Sequence, residues 1–155
     1  MASGVGTDAA PVVPWSLTLD CADPARAASF WAQALGYVPA PPPEGWATWE
    51  AWCDDMGVPE DERDDGAALV DPSGRRPALT LLRVPEPKER KNRLHLDLHV
   101  SGGRHLAPDV RGPRLEAAVE RLVAAGGTVL QRHERDGHLD HVVLGDPEGH
   151  ELCVV

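Results

Sequence analysis

Cysteine and basic residues are scarce in this chain, and each of these two shortages disfavours a class of protein. The 3 cysteines, Cys21, Cys53 and Cys153, are an odd number without Cys-x-x-Cys spacing. This pattern disfavours a disulfide framework and a structural zinc site, so we expect free thiols in a reducing cytoplasm. Lys and Arg total 15 against 25 Asp and Glu, and the formal net charge of −10 argues against nucleic acid or an anionic membrane as a partner.

Long hydrophobic runs are also missing. No segment reaches the roughly 20 apolar residues that span a bilayer, so no membrane association is predicted. Residues 1–11 are small and polar and lack the basic and apolar regions of a signal peptide, so we expect a disordered tail and a cytoplasmic protein. The 155 residues are enough for one compact domain, or for two half-domains that share a core.

What the chain does contain is a repeated turn. Asp71-Pro72-Ser73-Gly74 and Asp146-Pro147-Glu148-Gly149 share an Asp-Pro-x-Gly pattern that is typical of chain reversals. An apolar run follows each turn, at residues 77–84 and 152–155. Two copies of one turn-and-strand device indicate a duplicated module.

Two strictly alternating segments support the duplication. In residues 15–21, one face is apolar (Leu17, Leu19, Cys21) and the other polar (Ser16, Thr18, Asp20). In residues 94–100, the apolar face is Leu94, Leu96, Leu98 and Val100, and the polar face is His95, Asp97 and His99. Alternation with a period of two predicts a strand that buries one face.

A predicted helix follows each alternating strand. The first runs from Asp23-Pro24 to Gly36, and the second from Pro113 to Gly126. Proline suits the first helical position, and glycine suits the residue after the last one. Shorter strands are predicted at 67–70, 78–84, 128–131 and 139–144.

The resulting prediction is an α+β fold of two βαβββ modules. Residues 12–91 form the first module, with a tryptophan-rich insertion at about 40–66, and residues 92–155 form the second. In the insertion, Trp46, Trp49 and Trp52 are spaced by three and are predicted to lie along one side of a short helix. They either form an aromatic wall for a ligand or attach the insertion to the sheet.

With these features in place, the chain resembles the vicinal oxygen chelate superfamily, the glyoxalase, bleomycin-resistance and extradiol dioxygenase group. The resemblance rests on the paired module order, the two Asp-Pro-x-Gly turns and the segments at 83–88 and 92–98. It is similar in particular to glyoxalase-like proteins of actinobacteria. It implies that the modules curve a mixed sheet around a central cleft, and that a homodimer can form.

The resemblance also implies positions for metal ligands on the first and last strands of each module. Those positions carry Ser16, His95, about Ala78 and Cys153, with Glu151 two residues before the last. Ser16 and Ala78 remove half of the usual set, so no cofactor is expected. If a divalent metal binds, the predicted ligands are His95, Glu151 and Cys153.

Several of these side chains have alternative roles. His95 is predicted to line the cleft as a hydrogen-bond partner or base, and Asp97 to orient a neighbouring histidine. Glu151 is either a general base or an ion-paired carboxylate, and Cys153 is predicted to be a small buried core residue. The remaining loop histidines, 105, 133, 138, 141 and 150, are predicted to lie on the surface.

Two functions follow from these predictions. The first is a small-molecule binding protein that holds a planar or hydrophobic ligand without an intact metal site. Its predicted ligand-binding residues are Ser16, Thr18, Asp97, Trp46, Trp49, Trp52 and Cys153. The second is a glyoxalase-type lyase or isomerase acting on a small oxygenated metabolite, with His95 and Glu151 as acid and base or as residual metal ligands.

Overall fold

The computed structural model describes residues 13–155, so the tail predicted at residues 1–11 lies outside the described residues. The chain forms three α-helices, one short 3₁₀ turn and eight strands within this range. In chain order the elements are β1 (Leu17–Cys21), α1 (Pro24–Leu35), β2 (Val38–Pro39), α2 (Trp49–Met56), the 3₁₀ turn (Glu60–Glu62), β3 (Gly66–Val70), β4 (Leu79–Arg83), β5 (Leu96–Leu98), α3 (Pro108–Ala124), β6 (Thr128–Arg135), β7 (His138–Gly145) and β8 (Glu151–Val154).

The strands make two four-stranded mixed sheets with the same topology. The first has the order β1-β4-β3-β2 and the second the order β5-β8-β7-β6. In each sheet the first and last strands of the module pair in parallel, and the other pairs are antiparallel. The predicted α+β fold of two βαβββ modules is confirmed, as two open sheets. The boundary between the modules at residue 91 stays a prediction.

One hydrophobic core serves both modules. Helix α1 packs on the first sheet and α3 on the second, and the two helices also touch each other. Phe30 from α1 and Leu81 from β4 are fully buried in the same cluster as Leu115 from α3 and Leu144 from β7. A shared core explains how a chain of this size supports two small sheets.

The ends of α1 follow the sequence signals. Asp23 Oδ1 accepts a 3.0 Å hydrogen bond from the backbone N–H of Arg26, and Pro24 occupies the first helical position. Gly36 ends the helix in the left-handed region at φ 69°.

The prediction for the start of α3 is wrong. The helix begins at Pro108, and Pro113 lies inside it. Proline at this depth removes one backbone hydrogen bond to the preceding turn. The first turn is held instead by Arg111, whose Nη2 donates to the Asp140 carbonyl at 3.2 Å and lies 3.3 Å from Asp140 Oδ1.

Strand lengths in the second module also differ from the prediction. Strand β5 covers only Leu96–Leu98, and Leu94, assigned to its buried face, is 71 % exposed. Strands β6 and β7 are longer than predicted because Asp136 and Gly137 join them in a two-residue turn. Both turn residues have positive φ, 53° and 77°, which suits the twist of a tight hairpin.

The tryptophan-rich insertion contains one helix, but Trp46 precedes it. Helix α2 begins after Thr48, whose hydroxyl accepts a hydrogen bond from the N–H of Ala51, so only Trp49 and Trp52 are helical. Their rings pack edge to face at 5.5 Å, and the Trp49 indole donates to the Ala40 carbonyl at 3.0 Å. These contacts stay within the insertion and its preceding strand end.

None of the helices between residues 13 and 155 has the length and apolar character needed to cross a membrane.

Candidate functional site

A cleft of about 70 Å³ lies where the edges of the two sheets approach each other. Its apolar wall comes from both modules and consists of Leu17, Leu19, Leu79, Leu94 and Leu96, with Trp31 from α1. Its polar groups are Thr18, Asn92, His95, His150 and Glu151. The cleft therefore combines a hydrophobic body with polar groups that come mostly from the second module.

His95, Asp97 and Cys153 meet on the face of the second sheet that points away from the core. The parallel pairing of β5 and β8 places Asp97 opposite Cys153, while Leu98 and Val154 turn into the core. His95 Nδ1 lies 3.2 Å from Asp97 Oδ1 and 3.9 Å from Cys153 Sγ. The 3.2 Å distance is compatible with the role predicted for Asp97, which is to orient a neighbouring histidine.

Cys153 is not the buried core residue that the sequence predicted. It is half-buried, because its neighbours Leu152 and Val154 take the core-facing positions of β8. Burial and the nearby Asp97 carboxylate both raise the pKa of the Cys153 thiol. A raised pKa keeps the thiol neutral near pH 7, which disfavours a nucleophilic role.

Glu151 is ion-paired. Its carboxylate binds the Lys91 ammonium, and this contact lowers the pKa of Glu151. A carboxylate that is held ionised by a cation is a weak proton acceptor. Between the two alternatives from the sequence, the geometry favours the ion-paired carboxylate.

The positions implied for a metal do not assemble a four-ligand site across the modules. Ser16 is exposed just before β1, and Ala78 just before β4 has no donor. Within residues 13–155, the His, Cys, Asp and Glu side chains that could hold a metal are His95, Asp97 and Cys153, whose ligand atoms lie within 4.8 Å of one another. Zinc accepts such donors. This set differs from the predicted one because Asp97 takes the place of Glu151.

The predicted aromatic wall is absent from the cleft. Trp46, Trp49 and Trp52 are not among its lining residues within the described chain, whereas Trp31 is. Trp31 is itself a core residue, only 3 % exposed, and one edge of its ring borders the cavity.

His150 is the cleft residue that the sequence analysis missed, and its predicted surface location is wrong. It is only 8 % exposed, and its Nδ1 lies 3.1 Å from Asp146 Oδ2. Burial tends to raise the pKa of Asp146, but hydrogen bonds from the His150 ring and backbone and from Trp31 outweigh burial and lower it. The signal in the sequence was the spacing of Asp146 and His150 on either side of a tight turn.

Two further histidines depart from the surface prediction without entering the cleft. His133 and His141 are paired across β6 and β7, and their half-buried rings stack at 4.2 Å. A register shift leaves Asp140 as an extra residue in β7, so its carboxylate reaches His141 Nδ1 at 3.0 Å. His105 and His138 are exposed, as predicted, and His99 is exposed as well.

Comparison with known proteins agrees with this architecture. A profile of the family described as "Glyoxalase-like domain" matches residues 16–155. No curated protein sequence matches the chain.

Several solved structures share the fold. A glyoxalase/bleomycin resistance protein/dioxygenase family enzyme from Burkholderia phytofirmans is 14 % identical, with 90 % of this chain and 94 % of that one aligned at a TM-score of 0.53. A glyoxalase-related enzyme from Fulvimarina pelagi is 17 % identical, with 92 % and 87 % coverage and a TM-score of 0.53.

A third similar structure contains ligands. It is a mutant of the fosfomycin resistance protein FosX from Listeria monocytogenes, complexed with Mn(II) and 1S,2S-dihydroxypropylphosphonic acid. It is 11 % identical, with 99 % and 90 % coverage and a TM-score of 0.55. At such identities the likeness concerns the fold alone. Because the family profile spans nearly the whole described chain, the protein belongs to the glyoxalase-like domain family.

Proposed function

We propose that this protein binds a small hydrophobic molecule in the cleft between its two sheets, without the four-ligand metal site that the superfamily resemblance implies. The observation that carries the proposal is the composition of the cleft. Leucines from both modules and the Trp31 ring form its wall, while the first module supplies Thr18 as its polar group. Concave, mostly apolar surfaces with a few polar groups are typical of small-molecule sites.

A planar ligand fits this cleft through Trp31. The indole is anchored by its hydrogen bond to Asp146, so the ring cannot swing away when a ligand enters. Only an edge of this buried ring borders the cleft, and a fixed aromatic edge contributes contact area with little loss of side-chain entropy. In this proposal Trp49 and Trp52 do not contact the ligand, and the insertion that contains them has a structural role only.

The test has two parts. Protein purified without a metal-binding tag is analysed for Ni, Zn, Mn and Fe, and a library of planar hydrophobic compounds is screened by tryptophan emission. We expect metal far below one equivalent and emission changes with a subset of the compounds. Stoichiometric metal that is lost in His95→Ala, or flat emission across the library, contradicts the proposal.

A lyase or isomerase of the glyoxalase type is the second candidate, because one observation favours it. His95 lines the cleft, and Asp97 holds its ring in position. A positioned imidazole is the commonest general base in enzymes. Turnover of a small oxygenated metabolite that is abolished by His95→Ala and retained in His99→Ala supports this candidate over simple binding. Homodimer formation and a cytoplasmic location stay predictions.

A further inference from the structure

The His150 ring stands at the centre of the depressions between the modules. It borders the cleft itself and two adjoining grooves, one beside Cys21 and Arg26 and one beside Asn92 and Leu94. The ring is nevertheless largely buried. His150 is shared by all three depressions.

The contact with Asp146 decides which nitrogen His150 presents to the cleft. Nδ1 lies 3.2 Å and 3.1 Å from the two Asp146 carboxylate oxygens, and within residues 13–155 the hydrogen bonds of the ring involve Nδ1 alone. The Asp146 side chain is fully buried and also accepts from Trp31 and from two backbone N–H groups. An acceptor held in this way fixes the proton on Nδ1 and leaves Nε2 as a bare acceptor in neutral His150.

Asn92, which also lines the cleft, contains a second acceptor without a partner in the part of the chain that the structure describes. Its Nδ2 donates to the Leu94 carbonyl at 3.1 Å, which fixes the orientation of the amide. Its Oδ1 is buried and has no hydrogen-bond partner among the described residues. A buried acceptor without a hydrogen-bond partner destabilises the folded protein. A ligand that donates a hydrogen bond to Asn92 Oδ1 removes this cost.

We propose that His150 Nε2 and Asn92 Oδ1 form the polar end of the cleft and select a ligand with a hydrogen-bond donor, a hydroxyl or an amine, on a small apolar body. This inference rests on the proposed binding function and specifies the ligand class of the same site. The turn of the first module has no equivalent of the Asp146–His150 pair. Arg75 follows Gly74 at the position where His150 follows Gly149, and Asp71 accepts its hydrogen bonds from Ser73 and from backbone N–H groups. The donor-selecting end therefore lies on the second-module side of the cleft.

The experiment uses a matched pair of neutral probes. n-Butanol and its isomer methyl propyl ether have the same atoms, but only the alcohol has a donor, and n-butylamine tests the second donor type. Binding to the full chain is followed by NMR, through the leucine methyl groups of the cleft and the ring signals of His150. We expect the alcohol to bind about fivefold more tightly than the ether, since one hydrogen bond separates them.

The key variant is His150→Asn. Its side-chain amide can still donate to Asp146 and keep the turn, but it has no atom equivalent to Nε2. We expect the preference for the alcohol over the ether to fall about threefold or more. His133→Asn makes the same chemical change outside the cleft and should leave the preference intact, and Asn92→Ala should lower it as His150→Asn does.

The outcomes separate the two proposals. If all probes shift the cleft methyls equally, and His150→Asn changes nothing, the binding function stands and the donor selection is wrong. If no probe shifts the methyls of Leu17 and Leu96, the donor selection is wrong, and the binding function is decided separately by the library of planar compounds. If His150→Asn loses native signal dispersion, Asn92→Ala supplies the same test through the other acceptor.

Discussion

The Trp31 indole Nε1 donates a 2.9 Å hydrogen bond to Asp146 Oδ2, and this bond ties a helix of the first module to the turn of the second. A second contact reinforces it: the Glu148 carboxylate accepts from the backbone N–H groups of Ala22 and Asp23 at 2.6 and 2.8 Å, at the start of α1. The Asp-Pro-x-Gly turn of the second module is thus a clamp between modules. The turn of the first module satisfies its Asp71 locally.

Removal of the Trp31 bond should destabilise the whole chain. We expect Trp31→Phe to lower the free energy of unfolding by about 1–3 kcal/mol, from the lost bond to a buried carboxylate and the lost ring volume. Urea denaturation followed by far-UV circular dichroism measures this. Trp15→Phe is the matched control, because Trp15 is 65 % exposed and should change stability by less than about 0.5 kcal/mol. Equal effects of the two changes contradict the clamp.

Acid should unfold the protein partly through Asp140. Hydrogen bonds from Arg104, His141 and Arg111 hold the pKa of this buried carboxyl below its usual range. A depressed folded-state pKa contributes stability above the unfolded-state value of about 4, and the contribution is lost as the pH falls below it. We expect Asp140→Asn to cost about 2 kcal/mol at pH 7, and the difference from the unmodified protein to shrink towards pH 2.

Two measurements check the Asp140 prediction. Denaturation midpoints between pH 7 and pH 2 should fall less steeply in Asp140→Asn than in the parent, while the exposed Asp55→Asn keeps the parent slope. Hydrogen exchange should also speed up in the first turn of α3, because Arg111 loses its anchor there. An unchanged pH slope in Asp140→Asn argues against this role.

Cys153 should react slowly with alkylating agents. Burial and Asp97 raise the pKa of its thiol, and only the thiolate reacts. In a Cys21→Ser, Cys53→Ser background, we expect Asp97→Asn to increase the iodoacetamide rate at pH 7.5 several-fold by removing the negative charge. The pH profile should shift to lower pH as well. The same rate in Asp97→Asn and in the control Asp109→Asn rules out the electrostatic explanation.

Ligand-dependent tryptophan emission should come from Trp31. The cleft borders this ring, while the insertion holds Trp46, Trp49 and Trp52 away from the lining. We expect a compound that changes emission in the parent to do so in a variant with these three tryptophans changed to Phe, and to have no effect in Trp31→Phe. If the emission change is instead kept in Trp31→Phe and lost in the triple variant, the ligand lies beside the insertion, as the aromatic wall predicted from the sequence requires.

The fold could be predicted from the sequence because its signals are local. Alternation in Leu96–Leu98, the Asp23-Pro24 start of α1 and the Asp-Pro-x-Gly turns each act through neighbouring backbone. The errors arose where distant contacts prevail over local preference. Pro113 lies inside α3, and Arg111 in the first turn of this helix binds Asp140, which is 29 residues away.

The candidate site depended still more on tertiary contacts. The alternating pattern of the sequence put His95 and Asp97 on one side of the chain, and the structure places them 3.2 Å apart. Whether a histidine in a loop meets solvent or a cavity depends on what packs over it, and no periodicity encodes that. Only the tertiary structure decided that His150 is buried against Asp146, whose carboxylate also binds Trp31 of the other module, and that His150 lines the cleft.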